Sequence, residues 1–122
     1  MRLQTEIQIK TQGKVLVATI LGELDHHQAE RFRTQIDATF EKSSCRHILM
    51  DMSGVSFMDS SGIGMIIGRY KNAEKRGGKL ALAGMNDKMN RLYTISGLAK
   101  IITPAATVEE ALKTVTAGRN PQ

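Results

Sequence analysis

Two adjacent serines, Ser60 and Ser61, follow Asp59 and precede Gly62 where the apolar pattern changes from a short run to helical spacing. Aspartate and serine cap helix starts, because their oxygens accept hydrogen bonds from free first-turn N–H groups. The same end of a helix favours anions such as phosphate. Taken alone, the pattern predicts a helix cap and leaves phosphorylation as one hypothesis.

Other patterns of catalytic residues are incomplete. A serine hydrolase elbow needs Gly-x-Ser-x-Gly, and residues 54–58 contain only the first glycine. Three histidines precede Ser60, so chain order permits a Ser-His-Asp triad, but nothing in the sequence positions them. We therefore predict that the chain is not an enzyme and has no catalytic residue.

Metal and nucleotide motifs are also incomplete. Adjacent histidines on a helix point in different directions, and the spacing around them matches no zinc pattern. The glycines after Ser61 lack the lysine of a phosphate-binding loop. We therefore expect no metal and no cofactor. The possible metal ligands are Glu23, Asp25, His26 and His27, and the glycines are Gly62, Gly64 and Gly68.

The composition bounds the class of protein. The chain has 122 residues, a formal net charge of +5 and one cysteine, Cys45. This length fits a single domain over residues 1–122. A lone cysteine and the absence of an apolar leader favour a cytoplasmic protein. Scattered basic residues and 4% aromatic residues argue against nucleic acid, and no apolar stretch is long enough for a membrane.

Hydrophobic periodicity predicts the elements that position the serines. Strands are predicted at residues 3–10, 15–21, 47–52, 79–83 and 98–102, with turns at 12–14 and at Ser53-Gly54. Helices are predicted over 26–42, from 59–61 to Gly77, from 86 or 87 to Gly97, and after a capping box at 107–110. The core spans about residues 6–115, and 118–122 should fray.

The order β-β-α-β-α-β-α-β-α predicts an α/β fold, a mixed sheet of about five strands with about four helices packed against it. The strand-to-helix junctions at residues 23–27, 59–61 and 84–87 should share one edge of that sheet, outside the strands' carboxyl ends. We therefore expect Glu23, Asp25 and His26 to lie near Ser60.

Four segments together resemble the STAS domain family and, within it, the anti-sigma factor antagonists of the sporulation type. They are residues 22–27, 57–64 with the Asp-Ser-Ser-Gly motif, 68–71 and 91–102. The resemblance covers nearly the whole chain, from about residue 6 to about residue 115. It implies a single STAS domain.

The resemblance also implies a function. Such a protein binds an anti-sigma factor that is also a serine kinase, and so releases a sigma factor for transcription. The kinase, which holds its own ATP and Mg, would phosphorylate Ser60 and so end binding, and a PP2C-type serine phosphatase would restore it. We expect a monomer, with a partner interface at Asp59, Ser60, Ser61, Gly62, Gly64, Glu23, Asp25 and His26.

Three alternatives stay open. STAS-like domains also serve as scaffolds and as regulatory ends of anion transporters. A module binding a nucleotide, lipid or other small ligand would use the same loop and helix start. An enzyme with Ser60 as nucleophile is the third, and the sequence offers it no positioned base.

Overall fold

The computed structural model describes residues 5–117. Four strands run over Glu6–Gln12 (β1), Val15–Leu24 (β2), His47–Met58 (β3) and Leu80–Ala83 (β4). Four α-helices run over His26–Lys42 (α1), Ser60–Lys75 (α2), Asp87–Ser96 (α3) and Val108–Ala117 (α4). In this part of the chain, no helix is long and apolar enough to cross a membrane. The predicted tail at 118–122 and the first two residues of the predicted first strand lie outside the described residues.

The sheet has the strand order β1-β2-β3-β4. β1 and β2 form an antiparallel hairpin that turns at Gly13, whose φ of 61° lies in the left-handed region that suits glycine. β2, β3 and β4 are parallel, with Val15 opposite His47 and Ile48 opposite Leu80. Parallel neighbours require crossovers, which α1 and α2 provide. The carboxyl ends of β2 and β3 therefore meet at the edge where both helices begin.

Side chains alternate along β2, so both faces of the sheet contribute to the core. The larger cluster packs with α1, α2 and α3 and includes Leu16, Ile20, Phe32, Ile66 and Tyr93. The smaller cluster packs with α4, on what we call the α4 face; it contains Val15, Val17, Leu49, Ala81, Ala83, Ala111 and Val115. The first residues of β2 are therefore covered on both faces of the sheet.

The predicted fifth strand at 98–102 is wrong, because Leu98–Lys100 is a turn of 3-10 helix. The buried Tyr93 hydroxyl donates to the carbonyls of Leu98 (3.3 Å) and Ile102 (2.7 Å). These two bonds fold the segment around the tyrosine. The carbonyls that a sheet would use are therefore engaged elsewhere.

The chain approaches β4 only after this turn. Ala105 forms a single parallel bridge with Ala83. The Ala105 N–H donates to the Leu82 carbonyl at 2.8 Å, and the Ala105 carbonyl accepts from Gly84 N–H at 3.0 Å. Within residues 5–117 the sheet thus has four strands, not five, with a one-residue contact at the carboxyl end of β4.

The predicted turn at Ser53 and Gly54 is also wrong, because β3 continues to Met58. Pairing with β2 persists past this point, with a register shift where Leu21 lies opposite Gly54. A Cβ at Gly54 would collide with the Leu21 side chain. The glycine therefore marks an irregular strand with a close neighbour and not a chain reversal.

Helix starts follow the predicted caps. α1 spans the predicted residues. The Asn86 side chain accepts the Met89 N–H at 2.9 Å at the start of α3. Before α4, Thr107 Oγ1 accepts the Glu110 N–H, and the Glu110 carboxylate accepts the Ala106 N–H, each at 3.2 Å. The local chemistry of short polar side chains thus sets these boundaries.

Candidate functional site

Asp59 links the end of β3 to the start of α2. Its backbone is extended, and its Oδ1 accepts the Ser61 N–H at 2.8 Å. Its carbonyl accepts the Gly62 N–H at 2.9 Å. Asp59 thereby satisfies two first-turn donors, and the predicted cap is confirmed.

The two serines occupy different environments. Ser60 is the first residue of α2 and is exposed. Its hydroxyl makes no hydrogen bond with any residue between 5 and 117. Ser61 is half-buried, and its Oγ lies 3.5 Å from His26 Nδ1. Ser60 is thus the serine that presents an unengaged hydroxyl at this helix start.

The neighbouring junction lies at the same edge. Asp25 caps α1, because its side chain accepts the Gln28 N–H. His26 is the first residue of α1, and its ring approaches Ser61. Glu23 is exposed near the end of β2, and its backbone N–H donates to Thr5 Oγ1 at 3.2 Å. The structure therefore brings the three junction residues to the serine edge, while their part in a partner interface stays a prediction.

Gly62 and Gly64 differ in what they face. A Cβ on Gly62 would lie 2.7 Å from Met58 Sδ and 3.3 Å from Leu24 Cδ2, so this glycine faces the core. Gly64 is exposed, and a Cβ there would meet no atom within 4 Å. Of the two glycines expected at an interface, Gly64 is therefore the one placed to admit a partner's backbone.

A shallow groove separates the starts of α1 and α2. It has a volume of about 180 Å³ and is lined by His26, Ala29, Glu30, Arg33, Ser61, Gly64 and Met65. Glu30 and Arg33 form an exposed ion pair there, which lowers the pKa of Glu30 and raises the pKa of Arg33. Small-molecule sites usually exceed about 300 Å³ and are more enclosed. The groove itself is thus a poor nucleotide site.

A larger cavity, of about 650 Å³, lies between the end of α2, β4 and α4. Tyr70 and Glu74 contribute to one wall and are 3.3 Å apart at their oxygens. The Glu74 carboxylate raises the pKa of Tyr70. None of residues 23–26 or 59–64 lines this cavity. Its volume therefore does not belong to the serine site.

The approach of His26 to Ser61 does not form an acyl-transfer site. The contact is long, at 3.5 Å, and involves Ser61 and not Ser60. Across residues 5–117, no carboxylate hydrogen-bonds to His26, whereas a triad histidine is oriented by a third group. The same stretch holds no cluster of three or more histidine, cysteine or acidic side chains suited to a metal ion.

A buried arginine that the sequence analysis did not single out joins α2 to α1. Arg69 Nε lies 2.9 Å from Asp37 Oδ1, although its N–H is not aligned for a hydrogen bond. Arg69 Nη2 donates to Asp37 Oδ2 at 3.1 Å, and Asn72 Nδ2 donates to Oδ1 at 3.0 Å. Burial lowers the pKa of Arg69, which still keeps its charge at neutral pH. We call this group the Arg69–Asp37 brace.

The brace holds α1 against α2 and so helps to fix the separation of the two helix starts. Its sequence signal is an arginine on the apolar side of α2, three residues after Ile66 and four before Ala73. Asp37 directly follows the apolar Ile36 in α1, and a local pattern does not show which charge on another helix it meets.

The chain is similar to named proteins along most of its length. A family model described as the STAS domain matches residues 6–111. The anti-sigma F factor antagonist of Paenibacillus polymyxa is 38% identical over 100 residues, which make up 82% of this chain and 86% of that protein. The likeness therefore extends along most of both chains.

Two solved structures share the fold. The anti-sigma factor antagonist SpoIIAA in its unphosphorylated form matches with a TM-score of 0.80 and 30% identity, over 94% of this chain and 100% of that chain. The Bacillus cell fate determinant SpoIIAA in its phosphorylated form matches with a TM-score of 0.71 and 32% identity, over 90% and 99%. The same arrangement of elements is thus found in both states of that protein.

Proposed function

This chain belongs to the STAS domain family, and from that premise we propose that it is an anti-sigma factor antagonist. It binds an anti-sigma factor and thereby frees a sigma factor for transcription. Support comes from relatives of that name that match along most of their length. The chain acts in the cytoplasm as a monomer and is a binding protein, not an enzyme.

The activity is switched at Ser60. The anti-sigma factor is also a serine kinase, and it transfers the γ-phosphate of its own ATP, with Mg, to the Ser60 hydroxyl. The observation that carries this proposal is the exposed, unengaged hydroxyl of Ser60 at the start of α2, beside a half-buried Ser61 that contacts His26. A PP2C-type serine phosphatase reverses the modification.

The fold tolerates phosphate at this position. Phosphorylation adds about −1.5 to −2 charges and three acceptor oxygens. The N-terminus of α2 favours an anion, through its dipole and its free N–H groups. We therefore expect the backbone to change little on phosphorylation. The similarity of this fold to both forms of SpoIIAA supports that expectation.

The partner interface does not tolerate the phosphate. The added group lies beside the Asp59 carboxylate and needs water or a counter-charge that a close interface excludes. A loss of a few kcal/mol corresponds to about two orders of magnitude in affinity. The phosphorylated chain therefore dissociates from the anti-sigma factor, which can then bind its sigma factor.

Intact mass identifies which serine is modified. The chain is incubated with the host's anti-sigma factor kinase and ATP, and the intact mass is followed for wild type, Ser60→Ala and Ser61→Ala. We expect one added phosphate on wild type and on Ser61→Ala, and none on Ser60→Ala. Titration of both phosphoforms with the kinase should then show affinity about a hundredfold lower for the phosphorylated chain.

Ser61→Ala is the matched control, because it removes a neighbouring hydroxyl from the same helix turn. Phosphate on Ser60→Ala would contradict the assignment of the residue. Binding without phosphorylation would favour the scaffold alternative. Saturable binding of a nucleotide, lipid or other small ligand by the chain alone would favour the ligand-binding module.

A further inference from the structure

Two large apolar side chains on the α4 face are exposed. α4 packs mainly over β4 and β3, and Val15 and Val17 of β2 belong to the same buried cluster on this face. Farther along the same strands, Leu21 is 39% exposed and Phe57 is 49% exposed. The part of the sheet nearest the serine edge thus carries exposed apolar surface on this face.

The strand register places these side chains on one face. Val17 and Leu21 are an even number of residues apart in β2, so they point to the same side of the sheet. Phe57 lies opposite Glu23, whose neighbours Gly22 and Leu24 are buried. A register shift between Gly22 and Glu23 leaves Ser56 as an extra residue of β3. Val55 and Met58, on either side of it, therefore both point into the larger cluster, and Phe57 lies on the α4 face. We call Leu21 and Phe57, with Gly54 between them, the apolar strip.

The apolar strip leads to the serine site. Phe57 precedes Ser60 by three residues, with Met58 and the cap Asp59 between them. A protein that covers the exposed Ser60 hydroxyl at the end of β3 therefore has Phe57 at the margin of its contact. Large aromatic side chains at such positions contribute strongly to binding once they are desolvated.

Charges around the apolar strip restrict the partner's chemistry. Glu23 lies opposite Phe57 in the neighbouring strand, and Glu6 of β1 lies opposite Leu21. Both carboxylates are exposed. Cross-strand neighbours are about 5 Å apart, so each apolar side chain has an acidic neighbour on the same face. A complementary surface presents an apolar side chain together with lysine or arginine.

We propose that the apolar strip is part of the docking surface for the anti-sigma factor, which covers it with apolar side chains flanked by basic ones. The inference rests on the function proposed above and adds a second contact area, on the sheet face beside Ser60. Phosphate at Ser60 then acts at the margin of an interface whose apolar contact lies on the sheet.

The test measures binding of the anti-sigma factor kinase to wild type, Phe57→Thr, Leu21→Thr and the control Ile95→Thr. Threonine suits a strand, and both positions in the apolar strip are exposed, so the variants should fold; unfolding midpoints check this. Ile95 is 77% exposed on α3, which packs on the opposite face of the sheet. We expect affinity to fall about tenfold or more for Phe57→Thr, several-fold for Leu21→Thr, and less than about twofold for Ile95→Thr.

The outcomes separate the two proposals. If wild type binds and is phosphorylated at Ser60 while both strip variants bind equally well, the docking inference is overturned and the switch stands. If wild type does not bind, both fail. Sedimentation of the chain alone tests whether a second copy occupies the apolar strip. If the wild-type chain is a dimer and Leu21→Thr dissociates it, the apolar strip is a dimer contact and the inference is overturned.

Discussion

Single residues in the first turns of α2 show how one residue type serves two purposes. Gly62 lets the helix approach Met58 and Leu24 at the ends of the strands, whereas Gly64 faces outward. In a helix each glycine costs about 1 kcal/mol relative to alanine. The inner glycine is explained by packing, and the outer one by the partner contact proposed above.

Alanine at these two positions should therefore act in opposite directions. Gly62→Ala should destabilise the fold, because the new methyl forces Met58 to move, at a cost of about 1–3 kcal/mol that exceeds the gain in helix propensity. Gly64→Ala should stabilise it by up to about 1 kcal/mol and weaken partner binding. Urea unfolding measures the change in stability of each variant. Equal stability of the two variants would contradict the packing argument.

The buried side chain of Tyr93 makes the stability of the fold depend on pH. Its side chain is buried, and burial raises its pKa from 10.0 to about 12. The protonated hydroxyl also donates to two carbonyls of the following turn. The folded chain keeps this proton more tightly than the unfolded chain. The contribution of Tyr93 to the free energy of unfolding is therefore fully present below pH 10 and is lost as the pH rises towards 12.

We expect the stability advantage of wild type over Tyr93→Phe to shrink between pH 10 and pH 12, by on the order of 2 kcal/mol. Urea unfolding of both proteins across this range measures it. Both proteins contain Tyr70, so the effect of its titration on stability cancels in the comparison. An advantage that does not change with pH would show that the phenol is not titrating from a buried state.

At the scale of elements, the packing of α1 on α2 depends on the Arg69–Asp37 brace. Arg69 is 4% exposed, so its charge is compensated mainly by one carboxylate. Removing one partner of a buried pair leaves an uncompensated charge and costs about 3–5 kcal/mol, whereas removing both is often much less damaging. Asp37 is partly exposed, which reduces the expected cost to about 2–3 kcal/mol.

Asp37→Ala should therefore destabilise the chain more than the double variant Arg69→Met with Asp37→Ala. The single variant should also weaken phosphorylation of Ser60, because the two helix starts lose their fixed separation. Denaturant unfolding of the two single variants and the double variant gives the coupling energy. Strictly additive effects would show that the pair does not act as a unit.

Element types and the position of the serine site were largely predictable, because caps and periodicity act over a few residues. Asp59 caps α2 as predicted, and α1 begins at the predicted residue, behind Asp25. The errors came from contacts between distant parts of the chain. Gly54 reads locally as a turn, but pairing with Leu21 keeps it in a strand. The segment at 98–102 has strand-like residues, and the Tyr93 hydroxyl fixes it as a turn.

Other parts of the site could not be predicted for the same reason. The core-facing role of Gly62 depends on Met58 and Leu24, which reach it only when the strands end beside α2. The exposure of Phe57 depends on where α4 stops covering the sheet. Neither fact is contained in a local pattern.

For the whole molecule, overall and local charge differ in sign. The chain carries a formal net charge of +5, which taken alone suggests an acidic partner. The serine edge instead gathers the carboxylates of Glu23, Asp25 and Asp59. Net charge describes the average surface, while the sign at an interface decides which partner is complementary. The local arrangement favours a partner with a basic contact surface.

The one-residue bridge between Ala83 and Ala105 affects the concentration that this protein can reach without aggregating. A sheet edge with unpaired backbone groups is a template for aggregation. Here one edge strand has four residues and is covered at its carboxyl end. The other edge, β1, carries charged Glu6 and Lys10. If the chain acts by binding its target stoichiometrically, as proposed above, it must match that target in amount. Edges of this kind let it accumulate without strand-to-strand association.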